Sequence, residues 1–422
     1  MTEDLKLSTL MVDMLHLSNF AYSFRDVRAI VRNYDTTVGD GRLSKVEPEK
    51  RVKFARPELI ITDNGDPALK DPNHHLLYEV TPNAILTFMK TNRKYFKPAT
   101  PGSNDLVFDK DMKEDKEPFY FETQLKNRLS HNMKIIDYDD SCSGDVGGFV
   151  YGIIVDVTRK WVCVYFRGTV AKLDVRKLNS DMVADRNFEL NTKLYTEDTT
   201  FPPDVGSHSG FTKYLFDPCQ DDAIKGRHMF DRIIASISDV FKTNPDVAGN
   251  NYKLVTTGHS LGASLANLFA FHVAHKKQCG DTTVADYPKS ISAITFAAPV
   301  VGNKPFNTAY QSLEKEGYLR HARFSNENDI IPTNAISAPY RFFLSGNTHD
   351  YIQNGVNFFL KNEGMMHIEH GNTKEFKTQS YWLVVKNAPN HSLLEYTRRV
   401  YLEENKEDLE QTMEEIYEKY YN

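Results

Sequence analysis

A serine between two glycines lies where a short apolar run gives way to a longer stretch of small and apolar residues. The run is Lys253-Leu-Val-Thr-Thr257, the pentapeptide Gly258-His-Ser-Leu-Gly262 follows it, and the second stretch continues to His275. The first run predicts a buried strand, and the second predicts a helix. A strand that passes directly into a helix needs a sharp turn, and the two glycines let the backbones approach each other there. Ser260 is therefore a candidate nucleophile, with a simple helix cap as the alternative.

The second part of the chain alternates between strand-like and helical patterns. Two β-rich runs, 149–156 and 161–166, flank a short polar turn and predict a hairpin. Residues 221–242 have helical periodicity, while 291–297 and 319–324 are further candidates for buried strands. Strands that alternate with long helices predict an α/β fold, in which a mostly parallel sheet carries helices on both faces.

The first part of the chain has a different pattern. Residues 4–33 carry apolar side chains at helical spacing, and a second helical patch covers about 82–95. Between them, residues 35–73 are polar and contain several prolines, which predicts loops. The predicted division is an N-terminal helical and loop extension packed on the core, an α/β domain and a charged helical tail, over residues 1–117, 118–400 and 401–422 respectively.

Composition argues against several classes of function. The net charge is −6, so the chain has no basic character that would attract nucleic acid. No run of about 18 uncharged apolar residues indicates a transmembrane helix, and the acidic N-terminus does not resemble a signal peptide. The four cysteines form no C-x-x-C pair, which argues against a zinc site or a dense disulfide framework. We therefore expect a cytoplasmic protein with reduced thiols and without a metal or an organic cofactor.

Five motifs stand in this order along the chain: Phe166-Arg-Gly-Thr169, His208-Ser-Gly-Phe211, Thr257-Gly-His-Ser-Leu-Gly-Ala263, Thr295-Phe-Ala-Ala-Pro299 with Val301-Gly-Asn303, and Asn326-Glu-Asn-Asp329. Together they resemble the motif series of the class 3 lipases, the fungal-lipase-like serine esterases of the α/β-hydrolase fold. The resemblance covers about residues 145–335. It implies an α/β-hydrolase fold and a lipid carboxylester hydrolase with a Ser-Asp-His triad, an acyl-enzyme intermediate and an oxyanion hole.

A nucleophilic serine needs a base, and the base needs a carboxylate that orients it. Asp329 follows a predicted strand directly and matches the acid motif of the family that the chain resembles. We therefore expect Asp329 to be the triad acid, with a turn-forming aspartate as the alternative. Three other carboxylates are weaker candidates: Glu327, Asp281 and Asp286.

The base is chosen from the histidines that follow Asp329 along the chain, which are His349, His367, His370 and His391. The family places its catalytic histidine just before a C-terminal helix, and His391 has this position. We therefore expect His391 to be the base, with His370 or His367, in a polar stretch that predicts a surface loop, as the alternatives. His259, inside the pentapeptide, is expected to be structural because its side chain should point away from that of Ser260.

The resemblance also implies two backbone donors for the oxyanion, the N–H groups of Leu261 and Thr169, and the Thr169 hydroxyl can add a third bond. Residues 170–185 place apolar side chains roughly on one face, with charged residues between them. Relatives carry at this place a lid that opens at a lipid surface. An ordinary surface helix packed on the core is the alternative.

The predicted function is hydrolysis of lipid esters, with acylglycerols as the favoured substrates, at a lipid–water interface. Contact with a membrane surface or a lipid droplet would follow from such a substrate. A phospholipase A1 or a galactolipase is the alternative among enzymes, because the same triad serves all three. A catalytically silent lipid-binding protein of the same fold is the alternative from another class. The oligomeric state is left open by the sequence.

Overall fold

The computed structural model describes fourteen segments of the chain: residues 6–33, 96–98, 106–108, 133–139, 149–168, 190–196, 200–202, 204–218, 228–329, 331–332, 351–362, 366–370, 388–403 and 409–421. The strands in them are β1 (Phe96–Pro98), β2 (Leu106–Phe108), β3 (Met133–Asp139), β4 (Tyr151–Asp156), β5 (Trp161–Phe166), β6 (Leu190–Asn191), β7 (Ser207–His208), β8 (Lys253–His259), β9 (Ile291–Phe296), β10 (Gly302–Asn303), β11 (Leu319–Asn326), β12 (Tyr351–Ile352), β13 (Val356–Leu360) and β14 (Met366–His370). The α-helices are α1 (Leu7–Asn33), α2 (Lys193–Thr196), α3 (Ser209–Phe216), α4 (Met229–Thr243), α5 (Leu261–Gln278), α6 (Lys304–Lys315), α7 (Leu393–Glu403) and α8 (Met413–Tyr421). Short 3₁₀ turns cover Thr282–Val284 and Ala388–His391.

An eight-stranded sheet forms the centre of the described structure, with the strand order β14-β13-β11-β9-β8-β5-β4-β3. Strands β5, β8, β9, β11 and β13 pair in parallel, whereas β4 pairs antiparallel with both β5 and β3 at one edge, and β14 pairs antiparallel with β13 at the other. Every residue of β4, β5 and β9 is buried, which is typical of strands covered by helices on both faces. The predicted α/β fold with a mostly parallel sheet is confirmed.

Two hydrophobic layers cover the opposite faces of this sheet. On one face, α1, α7 and α8 pack against strand residues such as Cys163 and Val255. On the other face, helices α3 to α6 pack against their neighbours in the same strands, such as Val162 and Leu254. Successive residues of a strand point to opposite faces of the sheet. Cys163 and Val255 therefore face one layer of helices, while their neighbours Val162 and Leu254 face the other, and the sheet lies between the two layers.

Most of the predicted elements are present, with shifted ends. The predicted hairpin is confirmed as β4 and β5, and the helical pattern of residues 4–33 corresponds to the single helix α1 from Leu7 to Asn33. The helix predicted over 221–242 begins at Met229 within the described residues, and the helix predicted at about 82–95 lies outside them. The stretch with His367 and His370 is not a loop but the edge strand β14, because β13 supplies its hydrogen-bonding partners.

Helix α1 and the short strands β1 and β2 are the described parts of the predicted N-terminal extension, and the first four turns of α1 are buried. Leu7, Met11 and Leu15 are fully buried in the hydrophobic layer that also contains α7 and α8. No described helix, α1 included, combines the length and the apolar character needed to span a membrane. The boundaries at residues 117 and 400 stay a prediction, and α7 continues through residue 400.

A buried carboxylate on α6 anchors the C-terminal helix α8. Glu314 accepts a hydrogen bond from Tyr417 Oη at 2.5 Å and another from Tyr421 Oη at 2.5 Å. An ion pair of 2.6 Å between Arg320 Nη2 and Glu414 Oε2 adds a second attachment. Burial raises the pKa of Glu314 to about 7, although both tyrosine hydrogen bonds and Arg320 act in the opposite direction. The anchor is therefore a carboxyl group that titrates near neutral pH.

Stability should depend on pH through Glu314. Its pKa is about 7 in the folded chain, whereas an ordinary glutamate has 4.5, so the folded state binds more protons between these values. The contribution to stability is present in full below pH 4.5 and is lost as pH rises through about 7. We expect Glu314→Gln to remove this loss. The free energy of unfolding of the variant, measured relative to that of the wild type, should therefore rise by about 3 kcal/mol when the pH is raised from about 4 to about 8. Urea unfolding at both pH values measures the difference.

The exposed Glu316 provides the matched control, because it lies next to the C-terminal end of the same helix α6. Glu316→Gln should leave the pH dependence of the unfolding free energy as it is in the wild type. Parallel pH profiles for Glu314→Gln and the wild type would contradict the prediction.

Candidate active site

Ser260 occupies the turn between β8, which ends at His259, and α5, which begins at Leu261. Its backbone angles are φ 58° and ψ −126°, a strained conformation for a residue with a side chain. The Ser260 N–H donates to the carbonyl oxygen of Phe296, at the end of β9, at 3.0 Å. The Ser260 hydroxyl makes no capping hydrogen bond to α5. The alternative of a helix cap therefore does not describe this hydroxyl, which makes no hydrogen bond to the helix that follows it.

The glycines on either side of Ser260 are required by the close packing of three backbones. A Cβ atom on Gly258 would lie 2.4 Å from the carbonyl carbon of Gly262. A Cβ atom on Gly262 would lie 2.3 Å from the carbonyl oxygen of Phe166, the last residue of β5. Side chains at these positions would push the start of α5 away from the ends of β5 and β8.

The structure brings Ser260, His391 and Asp329 together in one hydrogen-bonded series. His391 Nε2 lies 2.9 Å from Ser260 Oγ, and His391 Nδ1 lies 3.1 Å from each carboxylate oxygen of Asp329. The Asp329 side chain is fully buried, and that of His391 is 11% exposed. With its proton on Nδ1, His391 donates to Asp329, and its Nε2 accepts the proton of the serine hydroxyl. This arrangement can activate the hydroxyl as a nucleophile.

Two further donors hold the Asp329 carboxylate. Tyr396 Oη donates to Oδ2 at 2.7 Å, and the Ile331 N–H donates to Oδ1 at 3.0 Å. Tyr396 Oη in turn accepts the N–H of Asn326 at 3.0 Å. Burial raises the pKa of Tyr396 well above its usual value, so the phenol keeps the proton that it donates. The carboxylate is thus oriented by donors from its own loop and from α7.

A buried arginine on α7 ties the loop that carries His391 to the sheet. The Arg399 guanidinium donates to the Leu360 carbonyl at the end of β13 at 2.7 Å and to Asn390 Oδ1 at 2.8 Å. Asn326 Nδ2, at the end of β11, donates to the Asn390 carbonyl at 2.8 Å. The residue before His391 is therefore fixed to the ends of two neighbouring strands.

Tyr396 and Arg399 are two residues of the site that the sequence patterns did not predict. Their common signal is helical spacing after His391, since both lie on α7, the helix that follows the histidine directly. That spacing shows which residues lie near the histidine, but it does not show which of them turn towards Asp329 or towards the strand ends.

His259 contacts the backbone of His391 rather than the hydroxyl of Ser260. Its Nε2 lies 2.8 Å from the His391 carbonyl oxygen, and its Nδ1 lies 3.2 Å from Tyr22 Oη on α1. Burial, and to a smaller extent the nearby His391, hold the pKa of His259 well below its usual value. A neutral imidazole in this position is a structural link, as the sequence suggested.

Of the two predicted oxyanion donors, Leu261 is among the described residues and Thr169 is not. Leu261 is the first residue of α5, where an N–H group has no acceptor within the helix. Thr169 and the segment 170–185 lie outside the described residues. The residue before Thr169 is described, and a Cβ atom on Gly168 would lie 3.3 Å from Ser260 Cβ. The chain therefore passes directly beside Ser260 as it approaches Thr169.

The alternative histidines are placed elsewhere in the fold. His367 and His370 are on the edge strand β14, which is separated from β8 by β13, β11 and β9. Four strand spacings of about 4.8 Å each lie between β14 and β8. The structure therefore does not bring these two histidines to Ser260. His349 lies outside the described residues.

No cluster of three or more histidine, cysteine or acidic side chains suited to a metal ion occurs within the part of the chain that the structure describes. The hydrogen-bonded series at Ser260 contains one serine, one histidine and one aspartate. These groups can perform acyl transfer with their own nucleophile, base and orienting carboxylate.

Comparison with known proteins identifies a related family. Residues 163–337 match the family model described as lipase (class 3). Phospholipase A1-Igamma3, chloroplastic, from Arabidopsis thaliana is 25% identical over 175 residues, which are 42% of this chain and 30% of that protein. Phospholipase A1-II 6 from Oryza sativa subsp. japonica is 24% identical over 185 residues, which are 43% of this chain and 42% of that protein. This chain thus spans less than half the length of either plant protein.

Solved structures of fungal lipases are also similar to this chain. The triacylglyceride lipase of Rhizomucor miehei aligns with a TM-score of 0.42 and 16% identity, over 63% of this chain and 84% of the lipase. The lipase of Rhizopus microsporus var. chinensis aligns with a TM-score of 0.40 and 20% identity, over 64% of this chain and 75% of the lipase.

A methyl group at Gly262 should distort the turn at Ser260. It would lie 2.3 Å from the carbonyl oxygen of Phe166, which is a backbone group and cannot rotate aside. We expect Gly262→Ala to destabilise the fold by about 1–3 kcal/mol and to slow the reaction of Ser260 with a fluorophosphonate. Urea unfolding and the rate of labelling measure the two effects.

Gly280→Ala is the matched control, just beyond the other end of α5. Gly280 has φ +72° and no atom within 4 Å of a Cβ position, so alanine there costs backbone strain alone. It should destabilise the fold without changing the labelling rate. Equal labelling rates in both variants would show that the packing at Gly262 does not position Ser260.

Proposed function

We propose that this chain, whose residues 163–337 belong to the class 3 lipases of the α/β-hydrolase type, is a serine carboxylester hydrolase that acts on lipid esters. The observation that supports this most is the hydrogen-bonded series from Ser260 Oγ through both nitrogens of His391 to Asp329, at 2.9 Å and 3.1 Å. A noncatalytic lipid-binding protein would have no need of a strained serine aligned with a base and a buried carboxylate. The proposed activity is therefore preferred to lipid binding alone.

In the proposed reaction, Ser260 Oγ attacks the carbonyl carbon of the ester while His391 Nε2 takes its proton. The buried Asp329 balances the positive charge that develops on the imidazole. When the tetrahedral intermediate collapses, the bond to the alcohol breaks and His391 gives its proton to the leaving oxygen. The acyl group is then bound to Ser260. Water, deprotonated by His391, attacks this acyl-enzyme, and the acid is released as the serine recovers its proton.

The oxygen of the tetrahedral intermediate carries a negative charge that needs donors. The Leu261 N–H at the start of α5 is proposed as one donor, since it adjoins Ser260 and benefits from the positive end of the helix dipole. The N–H and the hydroxyl of Thr169 are proposed as the others, and Gly168 beside Ser260 supports this assignment. One donor of this kind typically contributes about 10²- to 10³-fold to turnover.

Acylglycerols are the first candidate substrate class. Phospholipids cleaved by a phospholipase A1 reaction are the second, and the names of the two plant relatives favour this candidate. Both classes present a carboxylic ester to the same nucleophile, so the triad does not distinguish them. Both also occur at lipid–water interfaces, where residues 170–185 are proposed to act as a lid.

Labelling with a fluorophosphonate probe tests the proposed nucleophile. We expect the wild-type chain to be labelled on Ser260 and Ser260→Ala to show no labelling, because the probe reacts only with an activated serine. Ser264→Ala is the matched control, since its buried hydroxyl on the same helix α5 donates to the Pro299 carbonyl. It should be labelled like the wild type. Absence of labelling in the wild type would overturn the proposed function.

The two histidine assignments can be separated in the same assay. His391→Ala should lower the rate of labelling by about 10³-fold or more, because the base is lost. His370→Ala, on the edge strand β14, should leave the rate unchanged. The reverse result would move the base to His370.

A comparison of substrates decides between the two lipid classes. Triacylglycerol emulsions and phosphatidylcholine vesicles should each be tested, with a short soluble ester as the reference. We expect hydrolysis per enzyme to rise at least about 10-fold on one of the two lipids above the concentration at which an interface forms. Release of the sn-1 acyl group from phosphatidylcholine alone would establish the phospholipase reaction. A preference for the soluble ester, without gain at either interface, would remove the lipid-ester assignment.

A further inference from the structure

We infer that Tyr22, on helix α1, is a positioning residue for the proposed reaction. Its hydroxyl lies against the backbone at Gly168, beside Ser260, and through His259 it is connected to the backbone of His391. The inference rests on the proposed function, because it assigns to Tyr22 the task of keeping the base aligned with the nucleophile.

Helix α1 reaches the site from the face of the sheet behind Ser260. Ser18 Oγ lies 3.2 Å from Thr257 Oγ1 on β8, so that the helix is tied to the strand that ends at His259. One turn further along α1, the Tyr22 ring lies edge-on to the His259 ring, with 6.1 Å between the ring centroids. Tyr22 is only 6% exposed. Its hydroxyl therefore meets protein groups rather than solvent.

The environment fixes the direction of the hydrogen bond between Tyr22 and His259. The His391 carbonyl oxygen can only accept, so a neutral His259 carries its proton on Nε2, and the Tyr22 hydroxyl donates to His259 Nδ1 at 3.2 Å. Burial raises the pKa of Tyr22 above its usual value, so this proton stays on the phenol. Space at this point is also tight, since a Cβ atom on Gly168 would lie 2.1 Å from Tyr22 Oη.

His259 carries the series on to the proposed base. Its Nδ1 accepts from Tyr22, and its Nε2 donates to the His391 carbonyl oxygen at 2.8 Å. The imidazole rings of His259 and His391 are 4.8 Å apart. A neutral His259 adds no positive charge next to the imidazolium that forms on His391 during acyl transfer. The tautomer that Tyr22 supports thus suits the proposed reaction.

The two hydrogen bonds, from Tyr22 to His259 and from His259 to His391, end on the His391 carbonyl. This carbonyl belongs to the proposed base, which has to keep its distance from Ser260, and the Tyr22 hydroxyl supports it through His259. A displacement of about 1 Å at a reacting group lowers turnover by about 10²-fold. Loss of the hydroxyl should therefore slow acyl transfer while substrate binding, which depends on other surfaces, is retained.

The test is Tyr22→Phe, which keeps the ring and removes the hydroxyl. Steady-state hydrolysis of a soluble p-nitrophenyl ester and the rate of fluorophosphonate labelling should be measured on the full chain. We expect kcat and the labelling rate to fall by about 10- to 100-fold, with KM unchanged within about 2-fold. The matched control is Tyr287→Phe, which removes a buried hydroxyl that donates to the Ile234 carbonyl at 2.8 Å. It should lose thermal stability to a similar extent and keep the wild-type kcat.

Two variants of His259 test the second half of the series. The amide of His259→Gln can replace the Nε2 donor to the His391 carbonyl, whereas His259→Leu has no donor. We expect the glutamine variant to retain at least about 10 times the kcat of the leucine variant. Equal values for the two variants, or a Tyr22→Phe chain as active as Tyr287→Phe, would overturn the inference while the wild type remains active. A wild type without labelling on Ser260 is a different outcome, which overturns the proposed function and the inference with it.

Discussion

The close contact of three backbones beneath Ser260 is the constraint on which the site depends. The first turn of α5 meets the end of β5 at Gly262, and β8 meets the same turn at Gly258, with no room for a side chain at either glycine. The serine between them keeps a strained conformation because its N–H is bonded to Phe296 on the next strand. A hydroxyl in this position cannot relax into a helix cap, so it faces the segments that converge at the carboxyl ends of the strands.

Those segments come from distant parts of the sequence and are fixed by buried polar contacts. Asp329 follows β11, and His391 precedes α7. Arg399 joins the two loops to the end of β13, while Tyr396 orients the carboxylate itself. Polar groups buried at this density have to be satisfied by one another, and each unsatisfied group would cost about 1–3 kcal/mol. The alignment of base and acid is therefore part of the stability of the fold rather than an addition to it.

The parts that sequence could predict are those with a local signal. Hydrophobic periodicity and turn residues predict the turn at Ser260, the hairpin of β4 and β5, and the parallel sheet. The resemblance implies Asp329 from its acid motif and His391 from its position just before a C-terminal helix, and the structure brings both to Ser260.

Contacts between remote segments have no such signal in a single sequence. Tyr22 and His259 are 237 residues apart in the sequence. The residues of the edge strand β14 do not themselves show that β13 is its hydrogen-bonding partner. Helical periodicity identifies the buried face of α1, but it does not show that Tyr22 on this face contacts His259 beside Ser260.

The two end helices of the described structure meet beside each other. The Leu7 N–H at the start of α1 donates to the Gln411 carbonyl just before α8 at 2.8 Å, and both helices belong to one hydrophobic layer behind the sheet. A contact between such distant positions closes a very long loop, which is slow to form. Because α1 is synthesised before Met413–Tyr421, it lacks this partner until the later helix has left the ribosome. The hydrophobic layer behind the sheet, to which both helices belong, therefore cannot be complete before α8 has been made.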